Sequence, residues 1–357
     1  MKIALIGDIG FFGKHSLRTN ENIYEYFEDV RKHLEQFDYV VGNLELPFLE
    51  KGKPFGAKSV NLKSVPENVK LLKHLNINVV TLANNHMFDF GQQGVDSTIE
   101  LLEKNNISYF GVNNKDLILD DAKLALHGYC CYSTNPYGLG VIGKLNALEV
   151  ENKIKQYHKD GYLNLVSIHA GLEHVNYPAY HDILMARQWS KICPLIYHGH
   201  HPHVLQGVEY FNNSLLAYSL GNFCFDDVYT SSSNKPLVEL SENNKTSVII
   251  GLEVENGNLL SYEMTGIYMG KEKLEIGSSE ISTTIDKYAS AFNDSESVYT
   301  ENRNNLFSDY ISARKSMRDT SWYLKRLNLK SAKMIIRSLY NARQHKKNVI
   351  NYTVIKK

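Results

Sequence analysis

The chain has 357 residues, 43% of them hydrophobic, with 39 Lys+Arg against 39 Asp+Glu. This composition excludes a disordered polymer, and no run approaches the roughly 18 apolar residues of a membrane-spanning helix. The balance of charge conceals a split. Residues 301–357 carry 14 Lys+Arg and 3 Asp+Glu, net +11, which leaves 25 against 36, net −11, on residues 1–300.

The opening MKIALIGDIGFFGK is a short apolar strand running into a turn, without the longer apolar core and small-residue cleavage site of a secretory signal. A cytoplasmic protein is expected. Apolar runs predict strands over 2–7, 39–45, 78–84, 123–129, 163–170, 195–199 and 214–221. Helical spacing predicts amphipathic helices over 22–37, 66–76 and 94–106. This alternation points to an α/β fold with a mostly parallel sheet covered on both faces, in which ligands collect beyond the carboxyl ends of the strands. Cys130 and Cys131 are adjacent, while Cys193 and Cys224 stand singly in apolar segments, so buried thiols are expected rather than a disulfide framework.

Further along, residues 228–246 form a polar stretch without periodicity, a lid or a linker, and 246–269 read as a hairpin turning at 255–258. The Ser-, Thr- and acid-rich segment 278–300 marks a boundary. Beyond it, 306–317, 321–329 and 332–344 look helical, with Trp322, Tyr323, Leu327, Ile335, Ile336 and Leu339 as apolar positions. The expected organisation is a main domain over 1–270 and a mostly helical, basic extension over 271–357.

The strand ends carry the chemistry. Asp8 follows the first strand, Asn43 and Glu45 end the second, and Asn84, Asn85 and His86 close the third. His169 ends LNLVSIHA, Asn222 follows SLLAYSLG, and LIYHGHHPHVLQG brings His198, His200, His201 and His203 within six positions. Asp and Asn are common turn residues, but six strand ends of this kind exceed what turn chemistry requires. A functional site is expected there, and imidazole is the commonest protein ligand for transition metals.

The ordered set GDIG, VVGNLELP, VVTLANNHMFDFGQQG, IHAGLEHVNYPAYH, HGHHPHVLQGVEY and YSLGNFCFD is similar to the CapA family of bacterial capsule and poly-γ-glutamate biosynthesis proteins. That family resembles calcineurin-like metallophosphatases in fold. The similarity spans about residues 2–227 and leaves 270–357 uncovered. It implies a four-layer metallophosphatase-like α/β sandwich with a metal centre at one edge. Matched residue by residue, Asp8 takes the first aspartate of Asp-x-His, Asn85 and His86 the Asn-His pair, His169 the lone histidine, and His201 and His203 the closing pair. Two departures stand out. Gly10 occupies the place of the Asp-x-His histidine, and Asn43 that of the bridging aspartate, with Glu45 the nearest acidic replacement.

The resemblance thus implies a metal set of Asp8, Glu45, Asn85, His169, His201 and His203, holding one or two ions. Carboxylates with imidazoles and an amide carbonyl suit Mn, Fe or Zn better than Mg or Ca. Such an ion lowers the pKa of bound water to about 7 and polarises a carbonyl or phosphoryl oxygen. His86 is placed as general acid or as a donor to a developing oxyanion, and Glu173 as general base or as a partner that orients His169. Asn43, Asn84, Lys58, His200 and Asn222 are expected to line the substrate pocket or support the ligands, with Phe55 and the segment PFGAK nearby. Pro202 pushes His201 toward extended backbone, so that His201 and His203 converge on the metal while His200 faces away. His198 is expected to be a core or supporting residue.

The function implied is metal-dependent hydrolysis of an amide, ester or phosphoester in a cell-surface polymer or its precursor. Epimerisation or group transfer at the same site, and non-catalytic polymer binding or assembly, are the alternatives. Expected partners are that polymer and the capsule synthesis machinery; the oligomeric state is open. The basic tail suits an anionic polymer, a membrane surface or the acidic body, the last being preferred, whereas no motif supports nucleic-acid binding.

Overall fold

The computed structural model describes residues 1–56, 58, 60–132, 140–229, 235–277, 280–316 and 328–355. The strands are β1 (Lys2–Ile9), β2 (Tyr39–Leu44), β3 (Val79–Thr81), β4 (Ser108–Phe110), β5 (Leu117–Leu119), β6 (Leu124–Cys130) and β7 (Leu163–His169). They continue with β8 (Leu195–His200), β9 (Val208–Phe211), β10 (Ser214–Ala217), β11 (Asn222–Cys224), β12 (Thr246–Glu255), β13 (Asn258–Met269) and β14 (Leu274–Ile276). They form two sheets, ordered β14-β13-β12-β1-β2-β3-β4 with β11 beside β1, and β5-β6-β7-β8-β10-β9. In the first sheet β1 to β4 are parallel and β12 to β14 continue it antiparallel from β1; in the second, β6, β7, β8 and β10 are parallel with β5 and β9 antiparallel at the margins.

Two-residue periodicity explains why two sheets form where the apolar runs alone pointed to one. Ile3 and Leu5 of β1 face Leu124, Leu126, Leu163, Leu165 and Ile196 of the second sheet. Ala4 and Ile6 instead meet the helices Ile23–Tyr26, Glu28–Leu34, Val69–His74 and Gly91–Lys104. On the far side, Val166, Ile168 and Tyr197 pack against the helices Ala147–Lys159 and Tyr180–Ser190. The result is a four-layer α-β-β-α sandwich. The hairpin expected over 246–269 is β12–β13, paired out to Glu255 and Asn258.

Gly7 permits one close approach that matters to the site. A Cβ there would stand 2.0 Å from the Gly221 carbonyl oxygen, so only glycine lets β11 run beside β1 and set Asn222 against Asp8.

The C-terminal region is helical over Glu280–Ser290, Glu296–Ser316, Leu329–His345 and Asn351–Ile355. It packs on the body. Ile281 and Ile285 enter the core between the sheets, and Phe292, Tyr299, Val349 and Tyr352 enter the outer core. Tyr299 donates its hydroxyl to Pro178 O at 2.9 Å, and Tyr352 donates to Glu151 Oε2 at 2.6 Å. These contacts are aromatic and aliphatic side chains entering the core, with hydrogen bonds at their polar ends. The helix predicted over 321–329, with Trp322, Tyr323 and Leu327, falls almost wholly outside the described residues, as do Ala57 of PFGAK and part of the polar stretch 228–246. Among the described residues no helix is long and apolar enough to cross a membrane.

Candidate metal centre

Parallel strands deliver their carboxyl ends to one edge, and the polar residues collect there. Asp8 on β1 lies in register with Asn43 on β2 and Asn222 on β11. Asn43 donates to Asp8 Oδ1 at 2.8 Å and accepts from the Asn84 amide at 3.0 Å, and Asn84 also takes the backbone N–H groups of His86 and Met87. His169, ending β7, reaches Asn43 through Nδ1 at 3.3 Å and Asn85 Oδ1 through Nε2 at 3.1 Å. His203 Nδ1 lies 2.9 Å from Asn222 Oδ1 and 3.3 Å from Asp8 Oδ2.

Glu45 is the centre of this arrangement. It is fully buried, 3.4 Å from His203 Nε2 and 3.7 Å from His169 Nε2, yet neither of its carboxylate oxygens has a hydrogen-bond partner among the described residues. Two groups of buried ligand atoms, each within 4.8 Å of one another, share it: Glu45, His169 and His201, and Asp8, Glu45 and His203. Ionised side chains removed from water without partners are costly, so such a pair of triads fits a bound cation. The donor set, two carboxylates with three imidazoles, suits a divalent transition metal.

The electrostatics agree. Burial pushes the Glu45 carboxyl well above the carboxylate range. Burial acts the same way on Asp8, but the His200 and His203 imidazoles outweigh it and hold Asp8 well below its usual value. Desolvation lowers His169 strongly and His201 to about 4, leaving both neutral and able to ligate. His203 is also desolvated, but Glu45 and Asp8 push it up to about 10. Half-buried Glu173 resists desolvation because His201 and His203 face it, and it falls to about 2.

The structure therefore brings Asp8, Asn43, Glu45, Asn84, Asn85, His169, His200, His201, His203 and Asn222 together, with His86, Glu173 and Lys58 at the margin. Two expectations about the histidine run need correction. His201 is not extended: its φ is +98° and that of His203 is +56°, because Asp8 Oδ2 accepts the His201 N–H and Asn244 donates to His203 O, bending the segment into a loop. His200 does not face away. β8 continues through it, so it points the same way as His198. Its Nδ1 lies 3.2 Å from Asp8 Oδ1, while His198 Nε2 bonds Ile6 O at 3.0 Å. The missing histidine at Gly10 has a steric counterpart, since a Cβ there would meet the Phe225 ring at 2.6 Å and Phe12 at 2.9 Å.

Sequence reasoning also missed two residues. Asp89 is fully buried; its Oδ2 sits 2.7 Å from His86 Nδ1 and accepts Leu62 N–H at 2.7 Å, and its Oδ1 takes the Lys58 ammonium. The i,i+3 spacing in HMFD was its signal. Lys58 is thus not a solvated charge; it also donates to Asn85 O at 2.7 Å. Asn244, from the stretch read as lid or linker, donates to His203 O at 2.8 Å and lies 2.9 Å from His174 Nδ1. Nothing in its polar sequence context marked it.

The family described as bacterial capsule synthesis protein PGA_cap matches residues 2–227. The chain is similar to the PGA biosynthesis protein CapA of Bacillus subtilis (strain 168), 31% identical over 265 residues, 67% of each chain. It is also similar to the capsule biosynthesis protein CapA of Bacillus anthracis, 29% identical over 289 residues, 72% of this chain and 68% of that one. Solved structures are more distant. A hypothetical protein from Thermus thermophilus gives a TM-score of 0.45 at 13% identity, covering 74% of this chain and 98% of its own, a likeness too loose to say anything of chemistry. With its metal-capable edge inside the matched region, the chain belongs to the bacterial capsule synthesis protein family PGA_cap.

Proposed function

We propose that this chain is a metal-dependent hydrolase in the biosynthesis of a bacterial capsule or related cell-surface polymer, cleaving an amide, ester or phosphoester bond in that polymer or its precursor. The observation that carries the reading is Glu45, a buried carboxylate with no hydrogen-bond partner among the described residues, shared by two ligand triads. Asp8, Glu45, Asn85, His169, His201 and His203 would hold one or two ions of Mn, Fe or Zn. When bound, such an ion supplies Lewis acidity toward water and toward a carbonyl or phosphoryl oxygen.

The chain's own residues do the rest. Asp89 and Lys58 fix His86: with Asp89 ionised, Nδ1 carries a proton toward it. Burial and the Lys58 ammonium lower the pKa of the ring, so Nε2 passes a proton to the leaving group only from the imidazolium form, which Asp89 stabilises. Glu173, kept ionised by the imidazoles it faces, accepts a proton from the attacking water. Asn43 and Asn84 position Asp8 and the turn that carries His86. The names of the curated relatives supply the polymer context, and four buried cysteine thiols fit a reducing, cytoplasmic setting with the capsule machinery as partner.

The test is turnover of a γ-glutamyl oligomer and of bis(p-nitrophenyl) phosphate by the manganese-loaded chain, beside His86→Ala and His203→Ala. Loss of at least about a hundredfold in both variants is expected. Undiminished turnover in both removes the mechanism, and tight polymer binding without any turnover moves the chain to an assembly role.

A further inference from the structure

We infer that the helix Leu329–His345 is a docking surface for an anionic lipid bilayer. This helix is turned inside out by the standard of a soluble protein. Its shielded positions are mainly polar: Asn341 is buried, and Ser331, Met334, Arg337, Gln344 and His345 are half-buried, recurring every three or four residues along one face. That face is held to the body at its C-terminal end. His345 Nδ1 lies 2.9 Å from Cys131 Sγ, and its Nε2 lies 3.0 Å from His181 Nε2.

The opposite face is apolar and open. Leu329 is 82% exposed, Ile335 62%, Ile336 68% and Leu339 68%, with Tyr340 at 45% on the border. At about 100° per residue these five side chains fall within an arc of about 140°. An amphipathic helix on a globular protein turns such a stripe inward. Here the body has taken the polar stripe and left the apolar one outside, where it calls for another cover.

Charge selects the cover. Residues 329–355 contain no Asp or Glu, and Lys333, Arg343, Lys346 and Lys347 stand on or just beyond the helix. A second copy packed face to face would set this basic surface against its like. A polyanion in water would neutralise the charge but leave the apolar arc wet. An anionic bilayer answers both, taking the apolar side chains at the headgroup boundary and pairing the cations with lipid phosphates. The helix is too short and too charged to span, so it lies in the plane of the surface. Val354 and Ile355 of the last helix are exposed as well.

Flotation of the full chain with phosphatidylcholine vesicles, with and without about one quarter phosphatidylglycerol, tests this. The expected result is binding to the anionic vesicles, about tenfold or more weaker on pure phosphatidylcholine and weaker again as NaCl rises from about 0.1 M to about 0.5 M. The variant Ile335→Ser, Ile336→Ser, Leu339→Ser should lose binding about tenfold or more. Because these side chains lie outside the core, its circular dichroism should match wild type. Failure of the wild type to float with anionic vesicles overturns the inference, as does equal flotation of the triple variant. A wild-type dimer that the triple variant abolishes, seen by sedimentation without any vesicle binding, would reassign the face to a second copy.

Discussion

Replacing Glu45 with glutamine separates the two states of the site. In the metal-free chain, burial drives Glu45 toward its neutral acid, Asp8 keeps its charge against His200 and His203, and His203 holds the balancing proton. Glutamine is close in shape to that neutral acid, so metal-free stability should change by less than about 1.5 kcal/mol. In the metal-bound chain the same substitution removes the one carboxylate common to both triads. Ligand binding stabilises the folded state by about 2.7 kcal/mol when the free ion is about 100 times its Kd. An unfolding entropy of about 2.1 cal/mol/K per residue gives, for 357 residues, about 0.75 kcal/mol/K, or about 1.3 °C per kcal/mol. By thermal melting, wild type should therefore rise about 4 °C on adding manganese. Glu45→Gln should melt within about 2 °C of wild type in chelator and should not respond to the ion. A variant that keeps the full manganese-dependent rise, or that melts far below wild type in chelator, refutes the reasoning.

Asp89→Asn should lower turnover about 10- to 100-fold while leaving metal content unchanged, since it disturbs His86 and not the ligands; unchanged turnover removes the pair from the mechanism. Gly10→His should not restore a ligand, because the Phe225 and Phe12 rings fill the Cβ position. It should cost about 1–3 kcal/mol in denaturant unfolding, and a gain in bound metal would contradict the packing. His127, buried between Tyr129 and Asn164, is held down at about 4 by desolvation, so the folded chain keeps it neutral. Its contribution is present above the unfolded value of about 6.5 and is lost as pH falls toward 4, up to about 3 kcal/mol. The difference in denaturant midpoint between wild type and His127→Gln should change with pH across that window, and a constant difference would show that His127 does not titrate as stated.

The sequence made the site more legible than the fold around it. Asp8, Asn43, Glu45, His169 and the histidine run announce themselves because parallel strands end where ligands bind, and polar residues at that end break an apolar pattern. The second sheet was not separable from the first by periodicity alone, since buried strands of either sheet read as the same apolar run. Short strands such as Leu117–Leu119 and Asn222–Cys224 carry too few residues for a period to emerge. The orientation of His200 was misjudged because the strand was ended one residue early, which reverses the side assigned to everything after it. Asn244 was invisible for a different reason: its role comes from a long-range return of the chain to His203, which no local pattern encodes.

The central claim is that Glu45 and its neighbours form a metal site used for bond cleavage. Elemental analysis of the purified chain, paired with turnover before and after chelation, tests it most directly. The account predicts about one to two equivalents of manganese, iron or zinc per chain, lost in Glu45→Gln, with turnover abolished by chelator and restored by the ion. A chain that binds no transition metal, and whose turnover ignores the chelator, would contradict it.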